Sequence, residues 1–533
     1  MSIRINNLHL NINEEVDLLK KKAAKKLRIS EKDIKEFKII KESIDARKKN
    51  DIKFNYAVDV VCSNEKNIVK KLRDKDVLIE DNAFVEEMMP GDKVLKHRPV
   101  VIGLGPAGLF TALLLAQKGY KPIVFERGED VDNRTKTVEK FWTTGILDPN
   151  SNVQFGEGGA GAFSDGKLTT RIKDKRCDLV LESFVKAGAP SEIMYMGKPH
   201  VGTDILKGVV KNLREEIKSL GGEVHFSSKL EKINVKNGKV SSIIVNGNEV
   251  PCTQLVLAIG HSSRDTYEML NDIGIFMEPK PFAIGVRVEH SQELISKNQY
   301  GDFYNHPRLK AAEYRLTYRA QSTNRPVYSF CMCPGGVVVG AASEENRLVV
   351  NGMSYHARDK KNANSAIVVG ISPEDFEGSS PLRAMHFQRH YEELAYQLGG
   401  GNYVAPVQKI SDFIEGKVTD KLGDVVPSVT PGYAFRDLTK CLPGYVSESL
   451  KEGFVNFDRK IKGFGPSGDG VMTGIETRTS APVRISRNDN CESISVQGLY
   501  PAGEGAGFAG GIISAAVDGL RIAENIIKAY KPL

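Results

Sequence analysis

The chain has 533 residues, 41% of them hydrophobic and 26% charged. That length fits two to four folding units of about 100 to 200 residues each, and the composition excludes collagenous, disordered and disulfide-stapled small proteins. Net charge is +7, and residues 1–98 hold 23 Lys and Arg against 18 Asp and Glu. An excess this mild reads as solvated surface, so nucleic acid is disfavoured as a partner.

Seven scattered cysteines with no CxxC pair and no Cys/His zinc spacing point to a reducing, cytoplasmic setting without a metal site. The longest apolar stretch, 109–116, falls far short of the roughly 20 residues that span a bilayer. The first residues alternate polar with apolar and lack the basic-then-apolar layout of a secretory signal. Neither membrane crossing nor export is expected.

Residues 1–95 read as a small basic α+β domain. Ile3, Ile5, Leu8 and Leu10 suit a strand, and Val16, Leu19, Ala23 and Leu27 suit a helix. Ser30 with Asp33 three residues on makes a cap. A strand over 37–44, the basic loop Arg47-Lys48-Lys49 and the strict alternation of Ile52, Phe54, Tyr56, Val58 and Val60 follow. A helix over 67–73 and a last strand over 83–87 complete a βαββαβ, ferredoxin-like order, and Pro90 and Gly91 mark the exit.

After Pro99 the β-branched run Val100-Val101-Ile102 has the character of a strand buried on both faces of a parallel sheet. Helical periodicity over 203–220 ends at Gly221-Gly222, and strands are expected over 223–226, 230–233, 240–245 and 255–259. The fold class is α/β: a Rossmann-like core in two parts, 96–278 and 456–533, an inserted, mostly β, substrate-side domain over 279–455, and the ferredoxin-like N-terminal domain. The strand, glycine-rich turn and long helix within 499–527 should rejoin the first part of the core.

Gly103-Leu104-Gly105-Pro106-Ala107-Gly108 follows directly on the buried strand and opens an apolar helix, which is the context a dinucleotide fingerprint requires. Gly103 permits the tight turn, Gly105 the approach of a pyrophosphate and Gly108 close helix packing, while the helix N-terminus offers N–H groups to phosphate. Glu126 ends the next strand, 23 positions after Gly103, with Arg127 behind it. A carboxylate there accepts from ribose hydroxyls and repels the extra phosphate of NADP, so FAD or NAD is favoured.

A second glycine-rich segment, from Gly498 through Gly503, Glu504, Gly510 and Gly511 to a helix at Ile512, resembles the late flavin segment of the glutathione-reductase-like FAD superfamily. The resemblance implies FAD over NAD; many relatives carry Asp where Glu504 stands. Gly158, Gly159 and Gly161 offer backbone amides to a phosphate or ring. The strand end carrying Gly260 resembles the superfamily's Ala-Thr-Gly, with Ile259 in place of Thr.

Taken together, the strings Ser43-Ile44-Asp45-Ala46-Arg47, Phe155-Gly156-Glu157-Gly158, Cys331-Met332-Cys333-Pro334 and Gly474-Ile475-Glu476-Thr477-Arg478 resemble the FAD-dependent dehydrogenase family with a basic N-terminal domain, related to the HI0933-like flavoproteins. This implies FAD and a redox fold without fixing a substrate. The expected activity is that of an FAD-dependent oxidoreductase moving a hydride between a small organic substrate, or a transiently bound NAD(P)H, and the flavin. A flavin-dependent RNA-modifying enzyme and a non-catalytic FAD-binding sensor are the alternatives. Gly463-Phe464-Gly465-Pro466-Ser467-Gly468 matches a second fingerprint by letter, but Asp469-Gly470 cannot open a packed helix, so a loop is expected.

Three residues are candidates for chemistry. His261, beside the flavin segment, is either a proton donor or a structural histidine. Cys333 and Cys331, two apart and so on one face of a strand, would close a strained ring as a disulfide, so no dithiol relay is expected; they are either small buried residues or supply one thiol near the flavin. Arg478, close in sequence to Arg484 and Arg487, suits a carboxylate-bearing, acidic substrate or an ordinary salt bridge. His386 and His390 are read as surface residues, and a homo-oligomer is left open.

Overall fold

The computed structural model describes residues 1–80 and 88–533. At the N-terminus, strands Ser2–Asn11, Glu36–Asp45, Lys53–Val61 and Val77–Glu80 form one sheet. From one edge the order is second, third, first, fourth, and every pairing is antiparallel. That is the ferredoxin-like arrangement expected. Helix Leu18–Leu27 buries Leu19, Ala23, Ala24 and Leu27, and Ser30 and Asp33 form a reciprocal capping box. The fourth strand lies earlier than the expected 83–87, which falls outside the described residues. Asp74 and Asp76 turn the chain directly into Val77, opposite Ile5.

The core is a five-stranded parallel sheet. Its order is Leu499–Pro501, Leu255–Leu257, Val100–Ile102, Ile123–Phe125, Glu223–His225. Leu257 pairs with Ile102 on one side and Pro501 on the other, so residues some 400 positions apart in the chain end their strands at the same level. Uninterrupted apolar runs suit these strands because both faces are covered, one by helices such as Pro106–Gln117 and Ile512–Ala529, the other by the three-stranded sheet Leu230–Lys236, Lys239–Val245 and Asn248–Pro251 with helix Arg264–Asp272. Helix Pro106–Gln117 lies against helix Ile512–Ala529, where a Cβ on Gly519 would meet the Ala107 carbonyl oxygen at 2.1 Å.

Between the halves of the core stands a seven-stranded sheet, with Phe282–Ser291 and Asn362–Ile371 paired along their full lengths near its middle. It draws on Val471–Glu476, so the insertion expected to end at 455 reaches further along the chain. The chain leaves and re-enters the core through Met277–Pro279 and Val483–Ile485, which pair with each other. Residues 463–468 are turns that open no helix. Among the described residues no helix is long and apolar enough to cross a membrane.

Candidate active site

The fingerprint turn is shaped by what its glycines would strike. Gly103 has φ of +95°, and a Cβ there would lie 2.3 Å from the Ala258 carbonyl oxygen; one on Gly108 would lie 1.9 Å from that of Gly103. These two positions are fixed by packing of turn, strand and helix. A Cβ on Gly105 would meet nothing nearer than Gly159 Cα at 3.7 Å. Gly105 is the N-cap of helix Pro106–Gln117 and has no side-chain cap, which leaves first-turn N–H groups available to an anion.

Glu126 is buried and binds backbone. Its Oε2 accepts from the Leu104 N–H at 2.7 Å, and its Oε1 from those of Gly128 at 2.9 Å and Gly156 at 3.0 Å. One carboxylate thereby ties three loops together, with part of its acceptor capacity left for a ribose hydroxyl. The Arg127 guanidinium stacks 4.5 Å from the Phe155 ring and donates to Asp265 and Thr266. Arg134, wholly buried, donates to the carbonyls of Asn152, Val153, Glu157 and Gly159 and so fixes the glycine-rich loop.

A single cavity of about 410 Å³ joins these elements. One end is lined by Gly103, Gly105, Pro106, Ala107, Glu126 and Arg127, the other by Glu504, Gly510, Gly511 and Ile512, with Gly159, Gly161 and Gly260 between. Gly108, Gly158 and Gly503 do not line it. Gly108 packs beneath the turn and Gly158 against Ala162 and Val210. The Gly503 N–H donates to Asp518 at 2.7 Å, and its Cα faces Ala107.

The lining fits FAD. Ordinary Cβ contacts or open space surround Gly105, Gly260 and Gly510, so glycine at these positions keeps a cradle clear. An acid and an uncapped helix N-terminus at one end suit ribose and pyrophosphate. Burial pushes the Glu504 carboxyl up to about 8 against the pull of Lys280, so it is protonated at neutral pH and able to donate a hydrogen bond.

The candidates for chemistry divide. His261 lines the cavity with Nδ1 2.9 Å from the Ser262 hydroxyl. Burial, then Arg478 and Arg264, push it down to about 3, so the imidazole is neutral. Arg478 also lines the cavity, but its guanidinium is engaged by Glu392 at 3.0 and 3.2 Å and by the hydroxyls of Ser262 and Ser343. Of the two readings of this fork, the salt bridge is the one present, buried where a surface pair was expected: an internal carboxylate, Glu392, fills it in place of a substrate carboxylate. Arg487 is likewise held by Asp518, while Arg484 lies over the Phe508 ring. His386 and His390 are exposed.

The cysteine expectation is also corrected. A register slip between Phe330 and Cys333 breaks the regular strand on which both thiols would share a face. Cys331 lines the cavity, and Cys333 is fully buried away from it.

Sequence reasoning missed Asp165, Lys167, Asn351 and Glu476, which also line the cavity. It missed Arg287 too, which donates to Glu476 at 3.0 Å and to Asn364 at 2.9 Å while wholly buried. The signal was present: Arg287 and Glu289 interrupt an apolar strand, and charges seldom enter such strands without a partner.

Residues 97–299 match the pyridine nucleotide-disulphide oxidoreductase family, and residues 281–479 the C-terminal domain-like family of FAD-dependent proteins. Residues 2–61 match a domain family described only as of unknown function. A protein of Clostridium beijerinckii, described as uncharacterized, is 65% identical over 99% of both chains. An FAD-dependent monooxygenase, nodY1 of Hypoxylon pulicicidum, is 22% identical over 31% of this chain and 37% of its own. Among solved structures, CtdE with FAD aligns over 82% of this chain and 88% of its own at 13% identity, with a TM-score of 0.31. A geranylgeranyl bacteriochlorophyll reductase-like protein of Thermoplasma acidophilum aligns over 81% and 77% at 14% identity, with a TM-score of 0.35. With two family models meeting across its middle and a relative matching it end to end, the chain belongs to the FAD-dependent oxidoreductases and takes FAD as its cofactor.

Proposed function

We propose that the chain is a dehydrogenase that moves a hydride between a small organic substrate, or a visiting NAD(P)H, and its flavin. Glu126 and Arg127 would hold the adenosine end of FAD, the amides following Gly105 the pyrophosphate, and Glu504 with the Gly510-Gly511-Ile512 turn the end that carries the ring. When bound, FAD supplies the two-electron chemistry. The observation that carries this reading is the continuity of one cavity from the fingerprint turn to Cys331, Glu476 and Arg478 on the inserted sheet.

On that sheet side the protein supplies a neutral imidazole at His261 and a buried ion pair between Arg287 and Glu476. These fixed groups orient a substrate and keep water from it. Residues 463–468 open no helix, and so a visiting nicotinamide would share the cavity. The motifs Phe155-Gly156-Glu157 and Cys331-Met332-Cys333 support a place beside the HI0933-like flavoproteins. The test is anaerobic stopped-flow mixing of the holoprotein with NADH, NADPH and a panel of small organic donors. Bleaching of the flavin by one of them within the mixing series is expected; a flavin that no donor reduces, while dithionite does, would overturn the dehydrogenase reading.

A further inference from the structure

Counted along the sequence, the basic excess of the chain is mild; in the folded N-terminal domain it is concentrated on one layer. Helix Leu18–Leu27 carries five lysines and no acid, and Arg28 ends it. Helix Glu65–Leu72 carries three lysines and one acid, and Arg73 ends it. The two helices pack side by side. With their flanking residues, segments 18–28 and 64–76 hold eleven Lys and Arg against three carboxylates, an excess of eight, whereas the excess of the whole chain is seven. The rest of the protein is thus close to neutral.

The layer presents its charge outward. Leu19, Ala23, Ala24 and Leu27 turn the apolar stripe of the first helix to the interior, and Ile68, Val69 and Leu72 do the same for the second. Lys21, Lys25 and Arg28 recur at i, i+4 and i+7 on the first helix, Lys66, Lys70 and Arg73 at the same spacing on the second, and all six are exposed. Lys22 reaches Glu14, and Lys26 reaches Asp74 and Asp76. The other nine cations have no carboxylate within 4 Å among the described residues.

The chemistry of the layer selects a partner. Its apolar stripes are spent on the domain's own core, and Leu18 is the single exposed large apolar side chain of the two helices, so little is left to enter a bilayer. Lysine is depleted at protein–protein interfaces, which favour aromatic anchors, and neither helix carries an aromatic residue. Without aromatic rings there is also no platform on which the bases of a single strand could stack. Rows of point charges free of acids match a duplex, whose backbone presents one negative charge per about 1.7 Å of axis, along a first helix about 15 Å long.

We propose that the helical layer of the N-terminal domain binds the phosphate backbone of a nucleic-acid duplex, through its charge and not its sequence. Lysine and arginine displace condensed counterions from the phosphates, so affinity falls steeply with salt. The lining of the flavin cavity contains no residue before Ile102, so duplex binding and flavin binding are separable.

The test is fluorescence anisotropy of the full chain with a labelled RNA duplex of about 20 base pairs, and with the DNA duplex of the same sequence, from 50 to 200 mM KCl. Binding to at least one is expected, with affinity falling about a thousandfold or more across that range, as six phosphate contacts require. RNA alone, DNA alone or both would each support the site and identify its duplex. Lys21→Gln/Lys25→Gln/Arg28→Gln and Lys66→Gln/Lys70→Gln/Arg73→Gln should each weaken binding at least tenfold and lower the slope of log affinity against log salt by about three. Lys232→Gln/Lys236→Gln/Lys239→Gln removes the same charge from exposed positions on another sheet and should leave affinity within about twofold. A chain that binds duplex but no flavin supports this surface while removing the cofactor assignment. No binding of either duplex at 50 mM KCl, binding insensitive to salt, equal loss in all three triple variants, or binding of phosphatidylserine vesicles in place of either duplex would overturn it.

Discussion

Glu392 and Arg478 meet in the buried interior, 3.0 Å apart, with the same carboxylate shared by Arg264. Burial alone would raise the Glu392 carboxyl, but the two guanidinium groups outweigh it and hold it well below the usual carboxylate range. Removing one partner of such a group leaves uncompensated buried charge, so Glu392→Gln is expected to destabilise the fold by about 3–5 kcal/mol in urea unfolding. A depressed carboxylate contributes stability above its unfolded pKa and loses it as pH falls toward the folded value. Wild type should therefore lose stability below the ordinary carboxylate range more steeply than the variant.

The fingerprint glycines should separate folding from cofactor binding. Gly108→Ala forces a Cβ onto the Gly103 carbonyl oxygen and should lower stability by about 1–3 kcal/mol. Gly105→Ala finds room at 3.7 Å, so its apoprotein should melt with the wild type. Its side chain would nevertheless stand in the pyrophosphate approach, and its FAD affinity should fall at least tenfold, about 1.4 kcal/mol. Melting curves and flavin titrations read the two effects independently.

Glu126→Ala removes the acceptor for three backbone N–H groups. Hydrogen bonds to a charged group contribute about 1.5–3 kcal/mol each, so stability should fall by at least that much, along with flavin retention. Glu126→Gln keeps one acceptor oxygen and should fall between. Thermal unfolding of the flavin-free chain measures the first term without the second.

Glu504 gives the opposite pH sign to Glu392. Its folded-state pKa is raised to about 8, so the native apoprotein binds more protons than the unfolded chain above the ordinary value of 4.5. The stabilisation is full below that value and is lost as pH rises through about 8. Apoprotein unfolding midpoints should decline across this window, and Glu504→Gln should flatten the slope. An equal slope in both proteins would contradict the assignment.

The legible parts of the sequence were those where one local rule dominates. Val100-Val101-Ile102 leading into Gly103 fixes strand, turn and helix by sterics alone, and the alternation from Phe54 to Val60 fixes a half-buried strand. That the stretch 499–527 rejoins the first core was legible because it repeats the strand-turn-helix pattern, whereas the pairing of Leu257 with both Ile102 and Pro501 is set by the assembled sheet. The sheet side of the cavity was not legible. Arg478 looked available because its partner, Glu392, lies 86 residues away on another element. Cys331 and Cys333 looked equivalent because a bulge depends on the opposing strand, Asn362–Ile371, and not on local propensity. The strand Val77–Glu80 of the N-terminal sheet was not legible because four residues are too short to show a period.

The early and late glycine turns should together hold one FAD. Chain purified under native conditions should be denatured and its released flavin quantified against protein, before and after incubation with excess FAD and gel filtration. One FAD per chain is the expected result. A colourless chain that releases no flavin even after incubation would contradict it.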